Sequence, residues 1–134
     1  MTKQQEGFAL TAKSIIKELE KRNMEGYFCE SSKDAVNLVL SHLPANATIS
    51  WGGSETIKEC GLMDAIKAGN YTLLDRAAVT PEAYREFYSK VVMADAFLMS
   101  SNAITENGEL YNVDGNANRV AAMTFGPKSV IVVA

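Results

Sequence analysis

Histidine and cysteine are scarce in this chain of 134 residues, which has one histidine and two cysteines. His42 has no neighbouring acid or cysteine, so neither a catalytic triad nor a histidine metal site is indicated, and we expect it on the surface or at a helix end. Cys29 and Cys60 lack the close spacing of zinc or iron–sulfur ligands, so we expect buried thiols. We therefore predict no metal ion and no other cofactor.

Long apolar runs and clusters of one charge are absent as well. No segment approaches the roughly 20 apolar residues of a membrane-spanning helix, and the N-terminus lacks the charged-then-apolar order of a signal peptide. The net charge is -3, from 13 Lys and Arg against 16 Asp and Glu, without the basic clusters of nucleic-acid binders. We expect a cytoplasmic protein that binds neither nucleic acid nor membranes.

The apolar sequence that is present is enough for one folded domain. Hydrophobic residues make up 47% of the chain, and this length suits a single core better than two. Apolar residues recur at helical spacing from Gly7 to about Met24, which predicts an amphipathic helix. We divide the domain into this N-terminal helix, residues 1–26, and an α/β body, residues 27–134.

Strand and helix patterns alternate along the body. Strands are predicted at residues 27–30, 47–51, 71–75, 96–100 and 129–134. Helices are predicted at residues 31–43, 55–60, 62–68, 80–91 and 117–125. Such alternation is typical of a layered, mainly parallel α/β sheet flanked by helices.

The last quarter of the chain departs from this alternation. Asn107-Gly108 is a strong signal for a two-residue turn and predicts a β-hairpin. In that register Glu106 faces Glu109, a like-charge pair that favours a solvent-exposed tip. Glu106-Asn107-Gly108 also matches the motif that carries the nucleophilic glutamate of many coenzyme A transferases. The hairpin explains the same residues, and a turn tip is a poor place to activate a carboxylate.

A glycine turn, Gly52-Gly53-Ser54, follows the strand that ends at Trp51 and opens a helix. Unpaired backbone N–H groups at such a position favour an anion, and glycines allow it to approach closely. The Ser54 hydroxyl is a further donor. The alternative is a plain strand-to-helix turn in which Ser54 only caps the helix.

A second polar segment precedes the last predicted helix. Arg119 is predicted to hold a carboxylate or phosphate in a bidentate manner, with Asn116 and Asn118 fixing its orientation and Asn102 close by. Asp114 is the candidate catalytic acid or base. The alternative is a turn aspartate, a helix-capping asparagine and a salt-bridged arginine. If both polar segments meet at one sheet edge, they predict a site for a small anionic ligand.

Taken together, three segments of the sequence resemble the LUD domain, a lactate-utilisation family that includes LutC-type proteins. They are residues 51–62, the stretch from Ser101 to Met123, and residues 125–133. The resemblance implies an α/β fold of the NagB/RpiA/CoA transferase-like type, in which better understood members bind sugar phosphates or coenzyme A esters at strand ends. It also implies a connection with the oxidation of lactate to pyruvate.

Three roles are consistent with that resemblance. One is binding of a small anionic metabolite, namely a carboxylate, a phosphate or a coenzyme A ester. Another is catalysis similar to that of sugar-phosphate isomerases or coenzyme A transferases. The third is a non-catalytic assembly subunit that docks onto redox partner proteins of lactate oxidation.

The C-terminal end and the cysteine content differ from the family pattern. Family members usually continue past the last strand, so the chain is C-terminally short. Part of the expected sheet edge or site wall is therefore absent or comes from a partner chain. Because an exposed apolar edge strand invites pairing, we expect a homodimer. The iron–sulfur cysteine runs of larger lactate-utilisation subunits are missing, which indicates the cluster-free type.

Overall fold

Helices and strands alternate through most of the chain in a computed structural model that describes residues 1–134. The helices are α1 (Lys3–Glu20), α2 (Ser32–His42), α3 (Glu55–Glu59), α4 (Leu62–Ala68), α5 (Tyr84–Val91) and α6 (Asn118–Thr124). The strands are β1 (Thr48–Trp51), β2 (Thr72–Leu74), β3 (Ala96–Met99), β4 (Ala103–Ile104), β5 (Leu110–Tyr111) and β6 (Ser129–Val132). Two 3-10 helices, Arg76–Ala78 and Pro81–Ala83, lie between β2 and α5.

The main sheet has four parallel strands in the order β2-β1-β3-β6. Ile49 of β1 is in register with Ala96 of β3, which in turn is in register with Ser129 of β6. The predicted layered, parallel α/β sheet flanked by helices is therefore confirmed. Strand β3 is apolar and buried along its whole length because both of its faces are covered, as the sequence of residues 96–100 predicts.

Helices cover both faces of this sheet. Alternate side chains point to opposite faces of a strand, so Leu98 belongs to the apolar cluster under α2, α3 and α4, and Phe97 belongs to the cluster under α5 and α6. In the first cluster Ile57, Leu62 and Ile66 are almost fully buried. The layers are helix, sheet and helix.

Helix α1 lies largely outside this core, because none of its residues is buried. The apolar stripe predicted from the sequence is exposed at its N-terminal end, where Phe8 keeps 59% of its surface accessible. Near its other end, Ile16 packs on Gly26, and the backbone at Glu18 packs on Gly108. The predicted helix is present but begins and ends about four residues earlier than predicted, and these two contacts with the body lie in its last turns.

The β-hairpin is present with a register one residue away from the prediction. Ala103 pairs with Tyr111 and Ile104 pairs with Leu110. The Thr105 N–H also donates to the Glu109 carbonyl oxygen at 2.9 Å, so the loop contains the three residues 106–108, and Glu106 does not face Glu109. Gly108 adopts φ 74, a left-handed conformation that suits a three-residue hairpin loop with a bulge. The predicted two-residue turn is wrong because Gly108 belongs to this bulge.

The hairpin tip is also less exposed than predicted. Gly108 is buried against α1, and Arg22 donates a hydrogen bond of 2.6 Å to the Asn107 carbonyl oxygen. Glu106 and Asn107 remain exposed. The tip therefore fastens α1 to the body.

Two smaller predictions need correction. Residues 27–30 form no strand, because no neighbouring strand pairs with them and the first strand of the sheet begins at Thr48. Cys29 and Cys60 are free thiols that are half-buried rather than buried, and burial raises the pKa of Cys29.

His42 is exposed at the last residue of α2, as predicted. None of the helices combines the length and the apolar character needed to cross a bilayer.

Candidate functional site

The carboxyl ends of β1 and β3 lie side by side at one edge of the sheet. From β1 the chain runs through α3 and α4 to β2 on one side, whereas β3 and β6 lie on the other side. The strand order therefore reverses between β1 and β3, and such a reversal opens a crevice in which α/β proteins bind ligands. The glycine turn follows β1 here, and Ser100 to Asn102 follow β3.

A cleft of about 290 Å³ opens at this point. All but one of its lining residues are polar or glycine. They come from the loop after β1, the segment after β2, the two segments that flank the hairpin and the start of α6. The lining residues are Gly53, Arg76, Asn102, Val113, Asp114, Gly115, Asn118 and Arg119. The two polar segments predicted from the sequence thus meet at one sheet edge.

Arg119 is the most highly connected side chain of the cleft. Its Nε donates to Asp114 Oδ1 at 2.8 Å, and its Nη1 donates to the Ser100 carbonyl oxygen at 3.1 Å. Its Nη2 donates to Asn102 Oδ1 at 2.5 Å and to the Val113 carbonyl oxygen at 3.2 Å. Four of the five guanidinium N–H donors therefore have acceptors within the chain, and one Nη1 donor remains.

Asp114 connects this network to α6. Its Oδ2 accepts a hydrogen bond of 2.7 Å from the Val120 backbone N–H, in the first turn of that helix. The predicted cap was Asn116, but Asn116 is exposed, does not line the cleft, and is followed by Ala117 in a left-handed conformation. Asp114 reaches the helix amide from outside the turn, so the asparagine is not needed there.

The glycine turn contributes one wall of the cleft. Gly53 lines the cleft, and a Cβ atom on it would meet nothing within 4 Å. Gly52 is buried, and a Cβ atom on it would lie 3.4 Å from Arg119 Cδ. Ser54 caps α3, accepting a hydrogen bond of 3.4 Å from the Ile57 N–H, and does not line the cleft. Of the three turn residues, only Gly53 lines the cleft.

Two residues at the cleft, Arg76 and Tyr88, were not predicted from the sequence. Arg76 begins the 3-10 helix after β2 and is exposed, and its Nη1 lies 3.5 Å from the Tyr88 hydroxyl. This hydrogen bond raises the pKa of Arg76 above its usual value. One feature of the sequence could have indicated Arg76: it follows the carboxyl end of a predicted parallel strand, at the same sheet edge as the glycine turn.

The charges of the cleft favour an anion. Arg76 and Arg119 are its two cations, and Asp114 is its one carboxylate. Both Asp114 oxygens accept hydrogen bonds, from Arg119 and from Val120, whereas the Arg76 guanidinium has one long hydrogen bond to Tyr88 and a cation–π contact with Tyr84. No three histidine, cysteine or acidic side chains are grouped so that they could hold a metal ion. The cleft is therefore arranged to offer donors to an oxygen-rich ligand.

Comparison with known protein families identifies the domain. The sequence matches the LUD domain over residues 12–134, which is nearly the whole chain. The chain belongs to the LUD domain family. No curated protein and no solved structure matches it at a significant level. The LUD domain family is associated with lactate utilisation.

Proposed function

We propose that this LUD-domain chain binds a small anionic metabolite in the cleft between β1 and β3. The ligand class is a carboxylate, a phosphate or a coenzyme A ester. The observation that carries the proposal is a surplus of positive charge that is free to bind a ligand. Both carboxylate oxygens of Asp114 already accept hydrogen bonds, whereas the Arg76 guanidinium has only one long hydrogen bond. An anion in this cleft gains charge-assisted hydrogen bonds without displacing an acid.

The two arginines have different parts in this proposal. Arg119 holds the loops that form the cleft and offers its one remaining donor, whereas Arg76 is exposed and supplies the main positive charge. Gly53 and Asn118 line the space between them, and Asn102 contributes its side-chain amide group. Asp114 serves chiefly as the partner of Arg119, since proton transfer through it first requires release of that ion pair.

The test is a thermal-shift panel with lactate, pyruvate, sugar phosphates and coenzyme A esters, measured on the wild type, Arg76→Gln and Arg85→Gln. Arg85 is an exposed arginine of α5 outside the cleft, so its variant is matched in charge. At about 100 times the dissociation constant, a bound anion is expected to raise Tm by about 10 °C. The shift should persist in Arg85→Gln and be largely lost in Arg76→Gln.

Two outcomes would contradict the proposal. If no compound of the panel stabilises the wild type, the cleft does not bind this class of ligand. If Arg76→Gln responds as strongly as Arg85→Gln, the anion binds elsewhere. An enzyme similar to sugar-phosphate isomerases or coenzyme A transferases is a further step, and it would require turnover of a compound that passes this binding test.

A second candidate function is that of a non-catalytic assembly subunit of a lactate-oxidising redox complex. The observation that favours it is the exposure of α1, where Phe8 and Leu10 keep 59% and 69% of their surfaces accessible and no residue is buried. Apolar side chains on a helix of this length are suited to a protein partner or a second copy. Sizing chromatography with light scattering tests this: a stable dimer without any ligand-induced shift would favour assembly.

A further inference from the structure

The Tyr88 hydroxyl joins two residues that line the cleft from different chain segments. Arg76 Nη1, from the 3-10 helix after β2, lies 3.5 Å from the Tyr88 oxygen. Asn118 Nδ2, from the first turn of α6, lies 3.4 Å from the same oxygen. In both contacts the nitrogen is the donor, and the Tyr88 oxygen is the shared acceptor. Three separate segments therefore meet at one phenolic oxygen.

The position of this oxygen is fixed by packing. The Tyr88 ring contacts Phe87 edge to face, with centroids 5.2 Å apart, and contacts Tyr84 in the same manner at 6.2 Å. Phe87 belongs to the buried cluster under α5 and α6, and Tyr88 packs at its margin. A ring held in this way has little rotational freedom, so its hydroxyl is a stable reference point.

Arg76, by contrast, is a long and exposed side chain with much freedom to lose. Its guanidinium carbon lies 5.8 Å from the centre of the Tyr84 ring, a cation–π contact that supports one face. The Tyr88 oxygen then limits where the Nη1 end can go. A side chain that is already confined loses less conformational entropy when it binds a ligand.

We infer that Tyr88 is a positioning residue of the anion site. It accepts hydrogen bonds from Arg76 and Asn118 and so holds both donors at the cleft wall, ready for an anion. This inference rests on the proposed function, since the anion is the one proposed above. Contacts of 3.4–3.5 Å are long for hydrogen bonds, so they add little to folding. Their effect is to orient the Arg76 and Asn118 side chains before the anion binds.

The experiment is isothermal titration calorimetry of the full chain with inorganic phosphate and, in a parallel series, with L-lactate. Tyr88→Phe removes one oxygen and keeps the packed ring. We expect it to weaken binding of the anion roughly fivefold to tenfold while Tm stays close to that of the wild type. Tyr71→Phe is the matched control, because it removes a tyrosine hydroxyl on the other face of the sheet, outside the cleft, and its affinity should stay near that of the wild type.

A double-mutant cycle separates positioning from a direct contact. If Tyr88 acts through Arg76, Tyr88→Phe should have most of its effect removed when Arg76→Gln is already present. Full additivity of the two losses would overturn the inference, as would wild-type affinity in Tyr88→Phe. Either result would leave the proposed function standing. If the wild type binds neither phosphate nor L-lactate, the inference is overturned, whereas the proposed function is decided by the wider thermal-shift panel.

Discussion

Asp114 and Arg119 form an ion pair of 2.8 Å in which the two side chains expose only 9% and 12% of their surfaces. The pair joins the turn before α6 to the loop after β3, because Arg119 also donates to the Ser100 carbonyl oxygen. The same arginine that the sequence suggests as an anion ligand is thus a structural centre of the cleft. The stability of any Arg119 variant must therefore be measured before a loss of ligand binding is attributed to the missing guanidinium.

Arg119→Ala is expected to destabilise the fold. The change removes four hydrogen bonds and leaves the Asp114 carboxylate without its counter-ion in a nearly buried place. Loss of one partner of such a pair costs about 3 kcal/mol of unfolding free energy. Urea unfolding followed by circular dichroism measures this, with Arg85→Ala as the exposed control. A midpoint equal to that of the control would show that the network contributes nothing to stability.

Asp114 and Arg119 should show strong coupling in a double-mutant cycle. Asp114→Ala loses the ion pair and also the hydrogen bond to the Val120 amide, a capping contact that contributes about 1 kcal/mol. Since both single variants lose the same ion pair, the double variant should be destabilised by at least about 1 kcal/mol less than the sum of the two. Chemical denaturation of all four proteins gives the coupling energy. Strict additivity would mean that the two side chains do not stabilise each other.

The parallel core was predictable because its signals are local and consistent. Residues 96–100 are nearly all apolar, and the structure places β3 at the centre of the sheet with both faces covered. Residues 27–30 carry a similar apolar pattern but find no strand to pair with. Pairing is a tertiary property that the segment itself does not encode.

The polar features were harder to predict because they depend on contacts between distant residues. The hairpin register differs by one residue from the prediction because Gly108 forms a bulge, and this glycine packs against α1, some 90 positions earlier in the chain. Asn116 has the residue type of a helix cap, yet Asp114 meets the helix amide instead. Arg76 and Tyr88 come together only when the loop after β2 folds over α5. No spacing rule in the sequence connects these pairs.

Gly108→Ala is expected to weaken the docking of α1 on the hairpin. A Cβ atom at this position would lie 2.9 Å from Glu18 Cβ and 3.1 Å from its backbone carbonyl carbon, and φ 74 is a strained conformation for alanine. The backbone conformation alone costs an alanine about 1–2 kcal/mol. Hydrogen exchange should show faster exchange in α1, together with a lower midpoint of thermal unfolding.

Gly7→Ala is the matched control for that substitution. Gly7 lies within α1, and a Cβ atom there would meet nothing within 4 Å. Alanine is favoured over glycine inside a helix by about 1 kcal/mol, so this variant should be as stable as the wild type or more stable. If Gly108→Ala and Gly7→Ala were equally stable, the hairpin tip would not fasten α1.

Asp95 gives the fold a dependence on acid that can be measured. Its Oδ2 accepts a hydrogen bond of 2.9 Å from the Thr48 N–H at the start of β1, and Lys128 Nζ lies 3.2 Å from its Oδ1. The Thr48 hydrogen bond first, and Lys128 second, lower the pKa of this carboxyl. A lowered pKa in the folded state means that the ionised carboxylate stabilises the fold above the unfolded pKa of about 3.9. That contribution is lost as the pH falls through the lower, folded-state value.

Asp95→Asn should therefore be less stable than the wild type at neutral pH, and the difference should shrink as the pH falls below about 4. Unfolding free energies between pH 2 and 7 give the two curves. Lys128→Gln separates the two causes: Lys128 is 80% exposed, so its ion pair is screened by salt, whereas the Thr48 hydrogen bond is not. We expect Lys128→Gln to reproduce only the smaller part of the loss. A difference between wild type and Asp95→Asn that stayed constant down to pH 2 would show that the carboxylate charge does not stabilise the β1–β3 junction.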